Sequence, residues 1–343
     1  MRILLDANFA QKSLGLWCYN SDRRITSGLI RANHLVWDFS DRDISRASNP
    51  FGSRKMGVGA TNRKFLQAVD NLLPDIILLA HADIIRSDTL AEVRRNYKNT
   101  KIIVYNFDPL FTPNNVAAIK DRMDVADAIF ITTGGEGLKQ FKTTKNIVSF
   151  IPNPTDIGID SGRVFEKTGQ EFDVFQCIGG AVSDSDPRVV AVQHLLANYP
   201  DIKIDYYGML GAPNLLGGRF LDTIQNKARM GLNLSRRNDV YLYCSDRCAG
   251  LMGNGLLTFQ PRGIRFDKFF NESQVVFFND FDELGKKIMQ FKADDAHRRA
   301  VAEAGWKQYH KLFASHIVTQ FMVETVMGMK YSHDYAWADE VLK

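Results

Sequence analysis

The segment YCSDRCAGLMGNGLLTF, residues 243–259, sets a hydroxyl, an acid, an arginine and three glycines directly after an apolar run. A phosphate leaving group asks for such a set: fixed positive charge, short donors, and backbone bare enough to be approached closely. Ser245, Asp246 and Arg247 open this piece, Gly253 and Gly255 form its far turn, and Asn233, Arg236 and Arg237 end the apolar run before it. Farther back, CIGGAVSDSDPR places Gly179 and Gly180 after a strand-like run, with Asp186 and Pro187 suited to open a helix and Arg188 just inside it. Bare backbone facing a helix amino terminus holds phosphate, and it also makes an ordinary tight turn.

Proton chemistry is offered in the first half. His81 and Asp83 follow DIILLA, Asn106 and Asp108 end KIIVYNF, and Thr132, Thr133 and Glu136 follow AIFI. A carboxylate or imidazole at such a strand end can take a proton from an attacking hydroxyl, which makes His81 and Asp108 the catalytic candidates. A lone strand-end histidine also serves as a hydrogen-bonded structural residue, whereas Asp108 precedes a proline that forces extended backbone. The stretch YNSDRRITSGLIRANHLVWDFSDRD reads as a polar loop running into a helix, and Tyr19, Asp22, Arg23 and Arg24, with Glu136, are candidates to hold a second substrate.

These residues need strands and helices to position them. Short β-type runs cover 2–8, 34–40, 75–81, 101–107, 128–133 and 147–152, with helix-type stretches at 26–33, 63–72 and 87–97 between them. After IPNPTDIGIDSG (151–162), which reads as a linker, the alternation restarts with runs at 172–180, 203–208, 230–235, 256–260 and 275–280 and helices at 186–199 and 282–292. Such alternation gives parallel sheets with helices on both faces. The expected fold class is therefore α/β, two doubly wound, Rossmann-like domains over 1–155 and 156–325 facing an interdomain cleft. Ligands in such folds bind beyond the carboxyl ends of the strands, where the strand order reverses. A helical tail from about 294 to 328, within a terminal segment 296–343, carries Trp306, Tyr309, Leu312 and Phe313 at helical spacing. It reads as a helix packing back across the domains; Lys307, Lys311 and surface Arg298 and Arg299 keep a membrane-contact helix as the alternative.

Composition narrows the classes. Of 343 residues, 45% are hydrophobic and 24% charged, ordinary for a globular protein. The amino terminus lacks a signal-peptide core and no window approaches the ~18 apolar residues of a membrane span, so a cytoplasmic protein is expected, with contact to the inner face of the membrane as an option. Cys18, Cys177, Cys244 and Cys248 have no secreted framework's spacing and no neighbouring ligands for zinc, so all four read as core thiols. The net charge of +4 suits a polyanionic ligand or an acidic membrane surface. No lysine-arginine tract of the nucleic-acid kind is present.

The order GLIRANHLVWDFSDRD, PDIILLAHAD, NFDPL, ADAIFITTGGEGL, IPNPTD, SDRCAGLMGNGLLTF, FNDFDELGKKI and EAGWKQYHKLFASH resembles the GT-B glycosyltransferases of the group 1 type, over most of residues 1–325. It looks most like their CgeB-like, or spore-maturation-like, branch. The resemblance implies an enzyme that takes sugar from a nucleotide-sugar donor held by the carboxyl-terminal domain. The acceptor, a glycan, a lipid-linked molecule or a protein, is held by the amino-terminal one, in surface polysaccharide or glycan biosynthesis. It implies no cofactor and no metal. Donor phosphates would be met by Arg247, Arg188 or Arg236 and by amides near Gly179 and Gly180. Inversion follows if Asp108 or His81 is a true base, retention if the leaving phosphate serves instead. The family pattern S-x-R-x-x-E-x-x-x-x-G is met by Ser245, Arg247 and Gly255, but its ribose-binding glutamate falls on Gly250. Either Asp246 or Asp239 substitutes, or the donor is held differently, or transfer has been lost. A nucleotide-sugar 2-epimerase and a non-catalytic sugar- or nucleotide-binding relative are the competing readings.

Overall fold

Runs rich in Ile, Val and Phe that are too short for helices become strands in a computed structural model that describes residues 1–180 and 182–343. The chain divides into two units, Met1–Pro152 with Ser315–Lys343, and Asn153–Ala314. In the first, the elements follow as β1 (Arg2–Asp6), α1 (Ser21–Arg31), β2 (Leu35–Phe39), α2 (Asp41–Ala47), α3 (Val58–Leu72), β3 (Ile76–Ala80), α4 (Ser87–Asn96), β4 (Lys101–Asn106), α5 (Pro113–Lys120), β5 (Ala128–Ile131) and β6 (Ile147–Phe150). The second holds β7 (Phe172–Cys177), α6 (Pro187–Asn198), β8 (Ile204–Tyr207), α7 (Gly218–Asn226), β9 (Ala228–Leu232), α8 (Arg247–Gly253), β10 (Leu257–Pro261), β11 (Val276–Phe278), α9 (Phe281–Ala293) and α10 (Asp295–Phe313). The chain then returns to the first unit with α11 (Ser315–Met327) and β12 (Val341–Leu342).

The first sheet has the order β12-β6-β5-β4-β3-β1-β2, parallel except for β12, which pairs antiparallel with β6. Every residue of β3 is buried, as a strand covered on both faces requires. From β1 the chain moves outward to β2 and then crosses to the other side of β1 with β3, so the order reverses between β1 and β3. The second sheet, β11-β10-β9-β7-β8, is wholly parallel and reverses between β7 and β9. A core running from Val174 and Ile178 through Met230, Leu257 and Val276 to Leu284 and Val301 fills the second unit.

All eleven strand-like runs of the sequence become strands; β12 is an addition. Five expectations are corrected. The polar stretch after Tyr19 is helix from Ser21 onward, because the Asn20 side chain accepts the Arg23 amide and caps α1 at once. Asp22, Arg23 and Arg24 thus belong to a helix rather than a loop. The phrase read as a linker is interior: Asn153, Thr155, Asp156 and Asp160 are buried, and Asp160 accepts from the Thr155 hydroxyl at 3.0 Å and the Asp156 amide at 3.1 Å. The long terminal helix is two helices, broken at Ala314, whose ψ of 142° leaves the helical region. Cys18 is exposed while the other three thiols are buried.

The tail helix α10 turns its aromatics inward. Tyr309 and Phe313 are fully buried, and Trp306 Nε1 donates to the Gly253 carbonyl at 3.0 Å. Arg298, expected at the surface, is fully buried, with Nε on Asp295 at 2.7 Å. Arg299 reaches the carbonyls of Phe165 and Lys167.

Candidate functional site

Charged side chains crowd the carboxyl ends of β1 to β4, where the first sheet reverses its order. His81 leaves β3 with φ +39°, a left-handed backbone unusual for a residue with a Cβ. Its Nε2 lies 2.7 Å from Asp108 Oδ2, and its ring meets Phe107 edge-on at 4.1 Å. The turn carrying Asp108 is held by Asn106, whose Nδ2 donates to the Asp108 carbonyl at 2.8 Å. The two catalytic candidates are therefore one hydrogen-bonded pair, with side chains 26% and 41% exposed. Burial opposes charge on the imidazole, but the bond to Asp108 and the charges of Asp22 and Asp108 outweigh it, and the His81 pKa is raised.

Three further acids stand around this pair. Asp22, at the start of α1, is 2% exposed; burial pushes its pKa from 3.8 to about 6 against the pull of His81, Arg42 and Arg23. Asp6, which ends β1, is fully buried and pushed well up by burial and by Asp41. Asp41 is pushed up to about 7, chiefly by burial, and accepts the Ile84 amide at 2.9 Å. That bond ties α2 to the loop after β3. Arg122 faces Asp6, Asp41 and Asp83 and donates to the Ala82 carbonyl. Arg42 Nε binds Asp83 at 2.7 Å. Of these residues, His81, Asp108 and Asp22 stand out in the sequence pattern, and Asp6, Asp41, Arg42 and Arg122 do not. Asp6 was findable by the same reasoning as His81, a charged residue ending an apolar strand.

The remaining first-unit candidates divide. Arg23 lies 3.4 Å from Asp38 and over the Phe9 ring, and Arg24 is buried, so both are engaged within the unit. Tyr19 is half-buried beside Trp17. Glu136 stands apart, its side chain 85% exposed and paired with Lys139 at 2.6 Å. In the TTGGEG loop that follows β5, Gly135 N donates to Glu340 Oε2 at 3.1 Å.

In the second unit, Arg247 occupies the reversal between β7 and β9. Its Nε donates to the Cys177 carbonyl at the end of β7 at 2.9 Å. Its Nη1 donates to the Leu234 carbonyl just beyond β9 at 2.6 Å and to Ser245 Oγ at 3.3 Å. Burial lowers its pKa, yet a guanidinium stays charged. Arg188 lies within electrostatic reach of Arg247, and both Arg188 and Arg236 act on Asp186. Arg188 and Arg236 thus both lie near Asp186, and Arg188 near Arg247. Arg188 is held by Asp186, with Nε at 2.8 Å and Nη2 at 2.6 Å from its carboxylate. Gly179 and Gly180 are exposed at the same end, with open space where a Cβ would be and φ +89° at Gly180. Asp246 is exposed.

Other donor candidates have internal work. Asn233 is buried and donates to Gln260 Oε1 at 2.7 Å, and its Oδ1 is 3.4 Å from Ser245 Oγ. Gly253 and Gly255 do not open the turn toward a nucleotide. A Cβ at Gly253 would meet Thr155 Oγ1 at 2.3 Å, and one at Gly255 would meet the Phe165 ring at 2.6 Å, so both allow close internal packing. A Cβ at Gly250 would lie 3.5 Å from Ile224 and 4.0 Å from Phe220, so that position faces the apolar side of α7. Asp239 is held by Arg237 at 2.7 Å.

The glycosyl transferase-like family model matches residues 191–324, the stretch that contains Arg236, Ser245 and Arg247. The chain is similar to glycosyltransferases. Sucrose-phosphate synthase of Thermosynechococcus elongatus superposes over 96% of this chain and 98% of its own with a TM-score of 0.61 at 12% identity. The Anabaena HepE protein in complex with UDP and glucose does so over 96% and 100%, at 0.55 and 12%. A trehalose-6-phosphate synthase studied for glycosyl transfer with retention matches over 96% and 100%, at 0.58 and 14%. No curated protein matches the chain. At these identities the structures speak for the fold, and the two parallel-sheet units are those of the GT-B type. No helix among the described residues is long and apolar enough to cross a membrane.

Proposed function

We propose that the protein is a GT-B glycosyltransferase of the CgeB-like branch. It moves a sugar from a nucleotide-sugar donor to an acceptor hydroxyl, in the cytoplasm, in surface polysaccharide or glycan biosynthesis. The carrying observation is Arg247, fixed by the carbonyls at the ends of two strands where the second sheet reverses, inside the segment that matches the family model. A guanidinium so fixed is preorganised for charge that grows on a departing phosphate, and it needs no rearrangement during reaction. Arg188, Arg236 and the amides at Gly179 and Gly180 complete the cradle, so no metal or cofactor enters the proposal.

In the first unit, Asp108 holds His81 by Nε2, which leaves Nδ1 as the basic nitrogen. The acceptor oxygen attacks the anomeric carbon, its proton passes to Nδ1, and the bond to the donor phosphate breaks. This route inverts the anomeric configuration.

A specific observation favours a second reading. Position 250 is glycine and faces Ile224 and Phe220, so no ribose-binding acid stands there, as in a protein that binds sugar or nucleotide without transfer. Thermal shift with UDP, GDP, TDP, ADP, CMP and their common sugars decides the first step. One nucleotide should raise the melting temperature of the wild type and not that of Arg247→Ala. Slow release of nucleotide from the matching donor then supports transfer, while binding with no release supports the second reading. No shift with any nucleotide or nucleotide sugar removes transfer and nucleotide binding and leaves a cleft that has lost its donor.

A further inference from the structure

Two loops of the first unit hold apolar side chains out in solvent on backbone that is pinned. In the first, a short turn over Gln11–Ser13 is flanked by Ala10 and Leu14, both in the left-handed region at φ 47° and 50°. Leu14 is 93% exposed, and Leu16 and Trp17 beside it are also exposed. Asp43 of α2 fixes this loop by accepting the Gln11 amide at 2.7 Å and the Lys12 amide at 3.5 Å. In the second loop Phe51 is 76% exposed and Met56 61%. Asn49 closes it: Nδ2 donates to the carbonyls of Ser45 and Ser53 at 2.9 and 2.7 Å, and Oδ1 accepts the Ser53 amide at 3.0 Å. Ser45, also on α2, donates to the Arg54 carbonyl at 2.6 Å. One short helix, α2, therefore anchors both loops.

Their charge is of one sign. Residues 10–17 and 46–56 contain Lys12, Arg46, Arg54 and Lys55 and no acid. Arg46 and Arg54 are partly met by Asp43 and Asp83, while the side chains of Lys12 and Lys55 are exposed. The face continues past Gln11 into a pocket of about 570 Å³ whose lining includes Trp37, Ile44, Lys64 and Leu72.

We propose that these two loops dock the protein on an anionic lipid bilayer, with Leu14 and Phe51 entering the interface and Lys12 and Lys55 meeting the headgroups. A protein partner buries a continuous apolar face. Separate apolar tips ringed by basic groups fit a surface that flows around them, as amphipathic membrane anchors do. The tips need no ordering on contact, because α2 has already fixed their backbones. Arg54 also bonds Asp83 at 3.3 Å, so the docking face is continuous with the charged strand ends around His81.

Flotation of the full chain tests this, with vesicles of phosphatidylcholine alone and of phosphatidylcholine with about a quarter phosphatidylglycerol. The wild type should float with the anionic vesicles, less as salt rises, and not with the neutral ones. Each lysine near such a surface is worth roughly fivefold in partition, so Lys12→Glu with Lys55→Glu should lower binding at least about tenfold. Leu14→Asn, which keeps a left-handed turn, with Phe51→Ser should lower it by a similar factor, and Phe51→Trp should retain it. Both double variants should keep the wild-type melting temperature, since only exposed side chains change. Lys307→Glu with Lys311→Glu on α10 should float as the wild type does. The proposal is overturned if the wild type stays unbound, if it floats equally with neutral vesicles, or if folded loop variants float unchanged.

Discussion

His81 holds a left-handed backbone that most residues with a Cβ avoid, and such geometry persists only where its surroundings over-determine it. Asp108, Asn106 and Phe107 supply that determination from the neighbouring strand end. If this pair is the base, His81→Ala lowers kcat by roughly 10²–10⁴ with little change in donor KM, which steady-state kinetics would show. The working form is the neutral imidazole, so kcat/KM should rise with pH through a pKa above the ordinary 6.5, and Asp108→Asn should move that rise downward. The buried acids give a separate stability signal. Asp22, raised from 3.8 to about 6, holds its proton more tightly folded than unfolded, so its contribution is present at low pH and is lost as pH rises through about 6. The displacement corresponds to ~3 kcal/mol. Asp22→Asn should therefore gain on the wild type in denaturant midpoint between about pH 4 and 6 and keep the gain above it; a parallel pair of pH curves would refute the assignment. At this scale the sequence showed the pair but not its company. Asp41 and Arg122 act through tertiary contact with Asp6, a relation that spacing along the chain does not carry.

At the level of elements, the strand runs were legible because period and apolar content agree with burial on both faces, as in β3 and β4. Two-residue β12 has too little pattern to be seen, and it forms because α11 and its tail bring Val341 beside Ser149. The start of α1 was visible in principle in Asn20, a capping residue hidden among other polar ones. The break at Ala314 has no glycine or proline to announce it; the chain changes units there. Close helix packing yields a test. A Cβ at Gly28 of α1 would lie 2.4 Å from the Ser315 carbonyl oxygen, backbone that cannot swing away. Gly28→Ala gains about 1 kcal/mol of helix propensity and loses more to overpacking, so a net destabilisation of about 1–2 kcal/mol is expected by denaturant titration. Gly59→Ala in α3, where the nearest neighbour of a Cβ would be Arg63 at 3.8 Å, serves as the control for helix propensity alone.

For the whole molecule, the two-unit α/β plan followed from alternation of runs, while the assignment of the last thirty or so residues did not. Residues after Ser315 belong to the first unit, where Phe321, Met322 and Trp337 are buried. Ending the chain at Ala314 should leave that unit loosely packed, with increased dye binding to exposed apolar surface, while the second unit keeps its own core. Retained cooperative melting of both units would contradict this. The same discontinuity bears on biosynthesis. Because the first unit lacks α11 and β12 until all of the second has been translated, the ribosome delivers its sheet with the β6 edge and the part of a face at β4 and β5 uncovered. The inserted unit can finish folding first, and β4 to β6 must wait, exposed to chaperones, for the segment that closes over them.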